Sequence, residues 1–194
     1  MTSTGLTERA TRNAERTRAA VLAAAAEAMA ERGTGVSLDH IAKRAGVSKS
    51  GLQHHFPNRE SLIVALVEDA QQQLRENVMS HLDLSENEPG KLLRAYVRAM
   101  TSGSEAMMQY FTAAPTWAGI YQIPKVIEIT STDAQWWDDN LAADGLDAAR
   151  IMVVRRAAEG IAAAVAYGDE TPAAVEQART TLLHLANKGE FNEL

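Results

Sequence analysis

Five polar side chains, Ser48, Lys49, Ser50, Gln53 and His54, gather in the run VSKSGLQHHF at residues 47–56. Their types suit hydrogen bonding to an anionic surface rich in donors and acceptors, not bond-breaking chemistry. At helical spacing Leu52 and Phe56 share a face, leaving Lys49, Ser50, Gln53 and His54 pointing outward. Ser48 is a suitable N-cap for that short helix, and Ser37 caps an earlier one whose apolar positions are Leu38, Ile41, Ala42 and Ala45. Between them Gly46 stands where the backbone needs a positive φ to turn sharply, and Val47 points back to the core. The small Ala42 lets the two helices cross closely. Two short helices, a glycine turn and a polar outer face are the anatomy of a helix-turn-helix. A helical hairpin inside a core shares part of this pattern, so the surroundings must decide.

Other chemistry finds little support. The 194 residues contain no cysteine, so disulfides, thiolate metal sites and cysteine nucleophiles are excluded. No HExxH, GxSxG, Walker or dinucleotide fingerprint occurs, and His54 and His55 lack a spacing that puts both on one metal. The expectation is a protein without catalytic residues, metal or cofactor. Net charge is −6, but residues 1–60 hold nine Lys/Arg against six Asp/Glu while the remainder is strongly acidic. A basic first third on an acidic body is what a small nucleic-acid-reading head on a larger domain should show. Residues 1–20 carry four arginines and no apolar run, and the longest apolar stretches are broken by charge. Neither a signal peptide nor a membrane span is expected, and a cytoplasmic location is the default.

These side chains need elements to position them, and the periodicity predicts an all-α chain of about nine helices. Residues 1–14 read as a flexible polar arm. A helix follows from about Glu15 to Arg32, with Val21, Leu22, Ala25, Ala26 and Met29 as its apolar stripe and Gly33 as its stop. With the helix-turn-helix it forms a head over 15–60. Asn58 caps a long helix from Arg59 to about His81, whose first turns belong to the head and later turns to a helical body over 61–194. In that body, helices are expected from Asn87–Gly90 to Met100, through 105–114, from Pro124 toward Gly145, from Asp147 to Gly168, and from Thr171-Pro172 toward Gly189.

Gly33 and the run from Leu38 to Leu62, with AGVSKSGL and HHFPNRESL, resemble the N-terminal DNA-binding domain of TetR-family transcriptional regulators over roughly residues 15–64. Gln53 and His55 stand where tyrosines are usual, Gly51 where threonine is common, and Arg59 where lysine is. The resemblance implies DNA contacts from Ser37, Ser48, Lys49, Ser50, Gln53, His54 and Arg59. Of these, Ser37, His54 and Arg59 correspond to phosphate contacts, which position the head. Lys49 and Gln53 carry sequence information, and a glutamine amide can pair bidentately with adenine.

In the body, Met100, Met107, Met108, Phe111, Trp117, Tyr121, Trp136 and Trp137 offer soft and flat apolar walls, suited to an apolar or aromatic effector; an ordinary core would use the same residues. Alanines along 157–164 permit close helix approach. The resemblance implies that the last two helices form a homodimer, with Ala158, Ile161, Ala162, Val165, Leu182 and Leu185 toward the partner. Such a dimer reads a near-palindromic operator on double-stranded DNA, its recognition helices roughly 34–36 Å apart. The implied function is a repressor released by a small molecule. The alternatives are a DNA-binding regulator or architectural protein without a small-molecule effector, or a helical enzyme; an architectural binder would not need so large an acidic body.

Overall fold

The caps found in the sequence start helices where they should. In the computed structural model, Ser37 Oγ accepts from His40 N at 3.2 Å and Ser48 Oγ from Gly51 N at 3.0 Å. Asn58 and Ser61 cap each other: Ser61 N donates to Asn58 Oδ1 at 2.8 Å and Asn58 N to Ser61 Oγ at 3.2 Å. The structure describes residues 3–104, 107, 108, 110, 111 and 119–187, with side chains from residue 11 onward. Among the described residues the helices are α1 (Ser3–Arg32), α2 (Leu38–Arg44), α3 (Lys49–His55), α4 (Arg59–Ser80), α5 (Lys91–Met100), α6 (Pro124–Ala142), α7 (Ala148–Tyr167) and α8 (Pro172–Leu185). Residues 107, 108, 110 and 111 are helical too, and no strand occurs among the described residues.

The expected arm is corrected. Residues 3–14 are helix, continuous with the segment expected to begin at Glu15. Alanine, arginine and glutamate outweigh the single Gly5 in this stretch, and a helix already nucleated downstream extends at low cost.

Contacts group the chain into two units, Met1–Asp69 with Pro115–Ile127, and Ala70–Ala114 with Glu128–Leu194. The division falls inside α4, later than the expected boundary at residue 60. The first unit buries Val21, Leu22, Ala25, Ala28 and Met29 of α1 against Ile41 and Ala42 of α2, Leu52 of α3 and Leu62 and Ile63 of α4. Each fully buried Leu or Ile contributes about 1.5–3 kcal/mol.

The second unit is built around α5, on which Leu93, Arg94, Ala95, Tyr96, Val97, Ala99 and Met100 are all buried. A helix enclosed on so many sides is a core helix, and α7 and α8 both pack on it. Its buried arginine is met, as is one on α7. Arg94 donates to the carbonyls of Pro89 at 2.8 Å and Ala186 at 2.7 Å, and Arg150 donates to the carbonyl of Asn187. These guanidiniums hold the C-terminal end of α8, where backbone carbonyls lack helical partners.

Candidate nucleic-acid interface

The turn between α2 and α3 closes as a Schellman motif. Val47 N bonds to Ala42 O at 3.0 Å and Gly46 N to Lys43 O at 3.2 Å, with Gly46 at φ +69°. This turn aims α3 away from α2, with Leu52 and the C-cap Phe56 fully buried beneath it. Ser48, Lys49, Ser50, Gln53 and His54 are all exposed, as is Ser37 at the start of α2. The structure therefore brings six of the seven expected DNA-contacting side chains onto open surface of the first unit. Ser48 and Ser50 hydroxyls lie 3.0 Å apart at the N-terminal end of α3. Ser48 Oγ caps Gly51 N there, and hydroxyls so placed can donate to phosphate oxygens.

Arg59 is different. It is half-buried, its Nη1 donates to the Val36 carbonyl, and its Nη2 is buried without a partner among the described residues. The first turn of α4 abuts the loop after α1, so this cation ties two elements together instead of standing open to a phosphate. Arg44 is likewise committed: Nε meets Glu27 at 2.9 Å, and Nη1 and Nη2 meet Glu31 at 2.8 and 2.7 Å, joining α2 to α1. The bidentate Arg44 contact holds the Glu31 carboxyl below its ordinary range.

The partner of Arg18 was not legible in the sequence. Its guanidinium lies 5.5 Å from the centroid of the Phe56 ring, at the C-terminal end of α3. The register was readable, since Arg18 precedes Leu22, Ala25 and Met29 on one stripe, but its ring partner lies too far along the chain to be inferred. A cleft of about 490 Å³ opens beside it, lined by Arg18, His55, Phe56, Ser61, Val64 and Lys125.

In the second unit the expected aromatic cluster divides. Met100, Met107 and Trp137 are buried, and Met108, Phe111 and Trp136 are half-buried. Trp137 stacks edge-on with Tyr96 at 5.1 Å and with Trp136 at 4.9 Å. Tyr96 donates to Glu159 at 2.8 Å, and burial together with that carboxylate pushes its hydroxyl pKa up, so it remains a neutral donor. Arg75 of α4 lies 4.4 Å over the Trp136 ring and donates through Nε to Asp133 at 2.8 Å, a contact spanning 58 residues that sequence could not show. Tyr121 is corrected out of the cluster: it is 47% exposed, in the turn before Pro124, and groups with the first unit. Trp117 lies outside the described residues.

Half of the expected dimer face is taken up by the unit's own packing. Ala158, Ala162 and Leu182 are buried in the unit's own core, and Ile161, Val165 and Leu185 are half-buried. The stripe 154–158–162 faces that core. The opposite stripe, Val153, Ala157, Gly160, Ala164 and Tyr167, spaced four and three residues apart, is exposed except at the half-buried Ala164, with Val153 at 43% and Tyr167 at 53%.

A helix-turn-helix with an open polar face, carried by a chain whose remaining helices build a separate helical unit, defines a DNA-binding transcriptional regulator of helical architecture. Two family models agree with that reading: residues 21–66 match "Bacterial regulatory proteins, tetR family" and residues 90–187 match "Tetracyclin repressor-like, C-terminal domain". The chain belongs to the TetR family. No curated protein sequence matches it. Among solved structures it is similar to a transcriptional regulator from Rhodococcus sp. RHA1, with TM-score 0.71, 22% identity, and coverage of 87% of this chain and 95% of that one. It is also similar to the fatty acid degradation regulator FadR from Bacillus halodurans, with TM-score 0.66, 17% identity, and coverage of 86% and 94%. The multidrug binding protein EbrR complexed with imidazole has TM-score 0.62, 22% identity, and coverage of 89% and 91%. No described helix is long and apolar enough to cross a membrane.

Proposed function

We propose that the protein is a homodimeric repressor that binds a near-palindromic operator through α3 and leaves it when a small apolar or aromatic ligand enters the second unit. The observation that carries the DNA half is the exposed row Lys49, Ser50, Gln53 and His54 on a helix whose opposite face is fully buried. Ser37 and the Ser48–Ser50 pair position the head on phosphates, while Lys49 and Gln53 reach base edges.

The ligand half rests on the soft aromatic interior and on one polar atom within it. Trp137 is 1% exposed, and its Nε1–H has no acceptor among the described residues. An unsatisfied buried donor costs about 1–3 kcal/mol, which a ligand offering an acceptor would recover. The structurally similar EbrR is described as a multidrug binding protein and FadR as a regulator of fatty acid degradation; both descriptions suit apolar effectors. Release requires that the ligand prefer the conformation unable to bind DNA, since equal affinity for both states shifts nothing. The helix α4 begins in the first unit and ends in the second, where Arg75 holds Asp133 and Trp136, so it is the connection through which such a preference is felt.

The dimer uses the outward stripe of α7, because Ala158, Ala162 and Leu182 of the expected face are buried in the unit's own core. Gly160 has open space where a Cβ would project, leaving room for a partner helix to approach closely.

Selection from a random duplex library with the full-length protein tests the DNA half: an enriched palindromic sequence is expected, and enrichment of none would refute it. A panel of lipophilic drugs and fatty acids added to the selected complex tests the other half. At least one should dissociate it while quenching tryptophan fluorescence; dissociation by none would count against an effector of this chemistry.

A further inference from the structure

We infer that the second unit takes an organic cation, in exchange for Arg75, the chain's own cation on Asp133 and Trp136. The inference rests on the ligand-responsive reading above and gives that ligand its charge.

Arg75, on α4, meets two groups that α6 supplies one turn apart. Its Nε donates to Asp133 Oδ1 at 2.8 Å, and its Cζ lies 4.4 Å from the centroid of the Trp136 ring. Trp137, packed edge-on against Trp136 at 4.9 Å, holds that ring in place. A carboxylate beside an aromatic face recognises a guanidinium, amidinium or quaternary ammonium group. Here the chain fills the position with a group of its own. The pair is not sealed, since the Arg75 side chain is 29% exposed, against 11% for Asp133. A ligand can therefore approach along the side Arg75 occupies, and the displaced guanidinium can swing into water on its flexible stem.

Charge balance selects the class of ligand. Asp133 is 8% exposed and has Arg75 as its one cation among the described residues. An anion drawn to Arg75 would leave that carboxylate buried without a counter-charge, and a neutral ligand supplies nothing to replace the guanidinium. Only a cation frees α4 from α6 and still leaves Asp133 paired. Glu159, which accepts from the Tyr96 hydroxyl, is already committed to Arg155 and Arg156. The long-range field favours the same class, since residues 61–194 carry ten Lys/Arg against nineteen Asp/Glu.

The test uses the full-length chain with phenylguanidinium, its neutral isostere phenylurea, and the anion phenylacetate. In tryptophan-fluorescence titrations, phenylguanidinium should bind Arg75→Ala about tenfold more tightly than the parent protein, because the chain's own guanidinium no longer competes for the site. It should also raise the melting temperature of Arg75→Ala toward that of the parent, by restoring a counter-charge to Asp133. The double variant Arg75→Ala, Asp133→Asn should respond to none of the three probes. Arg75→Gln, which keeps a donor for Asp133 without the charge, provides the same comparison should Arg75→Ala fail to fold. Equal rescue by phenylurea or phenylacetate, or an undiminished response of the double variant, overturns the inference and leaves an uncharged effector possible. Dissociation of the complex with the selected duplex is read separately. Binding and rescue by phenylguanidinium with the duplex retained upholds the exchange and sinks release by such a ligand instead.

Discussion

Gln53 and His54 sit side by side on the exposed face of α3, and the chemistry of each predicts a different phenotype. A glutamine amide can read a base edge bidentately, so Gln53→Ala should relax preference at about one base pair per half-site, by about 1–3 kcal/mol. Competition binding against a panel of singly substituted operators would show it; uniform weakening across the panel would place Gln53 on the backbone instead. His54→Ala should produce that uniform weakening, because a phosphate contact carries no sequence information. Gly46 tests the turn itself. With φ +69° and open space where a Cβ would project, Gly46→Ala loses only through its backbone conformation, about 1–2 kcal/mol. Chemical denaturation should show that loss, with Gly46→Asn recovering part of it.

At the level of elements, the start of α5 is the most constrained point of the second unit. Gly90 has φ +87°, and a Cβ there would collide with the Ala186 carbonyl and lie 2.7 Å from both Arg94 Nη1 and Leu146 Cδ1. Gly90→Ala therefore combines a backbone penalty with overpacking, for roughly 3 kcal/mol in all, well above the cost at Gly46. Equal losses at the two glycines in matched denaturation curves would mean that the junction of α5 and α8 yields more readily than its packing implies. Arg75 links α4 to α6 through a carboxylate that is almost fully buried. Arg75→Ala strands Asp133 in that setting, and breaking such a pair costs about 3 kcal/mol. Thermal melts would register the loss. Arg75→Ala, Asp133→Asn should restore much of it, because the neutral amide no longer needs a cation.

For the whole molecule, α7 carries a core face and an outward face, and a single charge placed on each separates folding from assembly. Ala157→Glu on the exposed stripe should leave the circular dichroism spectrum intact and convert a dimer to a monomer in analytical ultracentrifugation. Ala162→Glu, on a residue 4% exposed, buries an unpaired charge and should prevent folding. A monomeric Ala157→Glu protein should also lose most of its operator affinity, since one head would then bind one half-site alone. A dimer that survives Ala157→Glu would move the interface off this stripe.

How much of this was legible in the sequence follows from the range over which each signal acts. The helix-turn-helix, its caps at Ser37, Ser48 and Asn58, the Gly46 turn and the outward row on α3 depend on residues within a few positions of each other. Periodicity and capping chemistry determine them locally. The all-helical class follows from the same short-range signals summed along the chain. Tertiary structure alone decided which side of α7 is core, because both stripes are small and apolar and only the position of α5 distinguishes them. It likewise decided that Arg59 is tied to Val36, that Arg18 meets Phe56, and that Arg75 closes on Asp133. Each of those partners lies more than twenty residues from its arginine, a separation at which sequence spacing carries no information about contact.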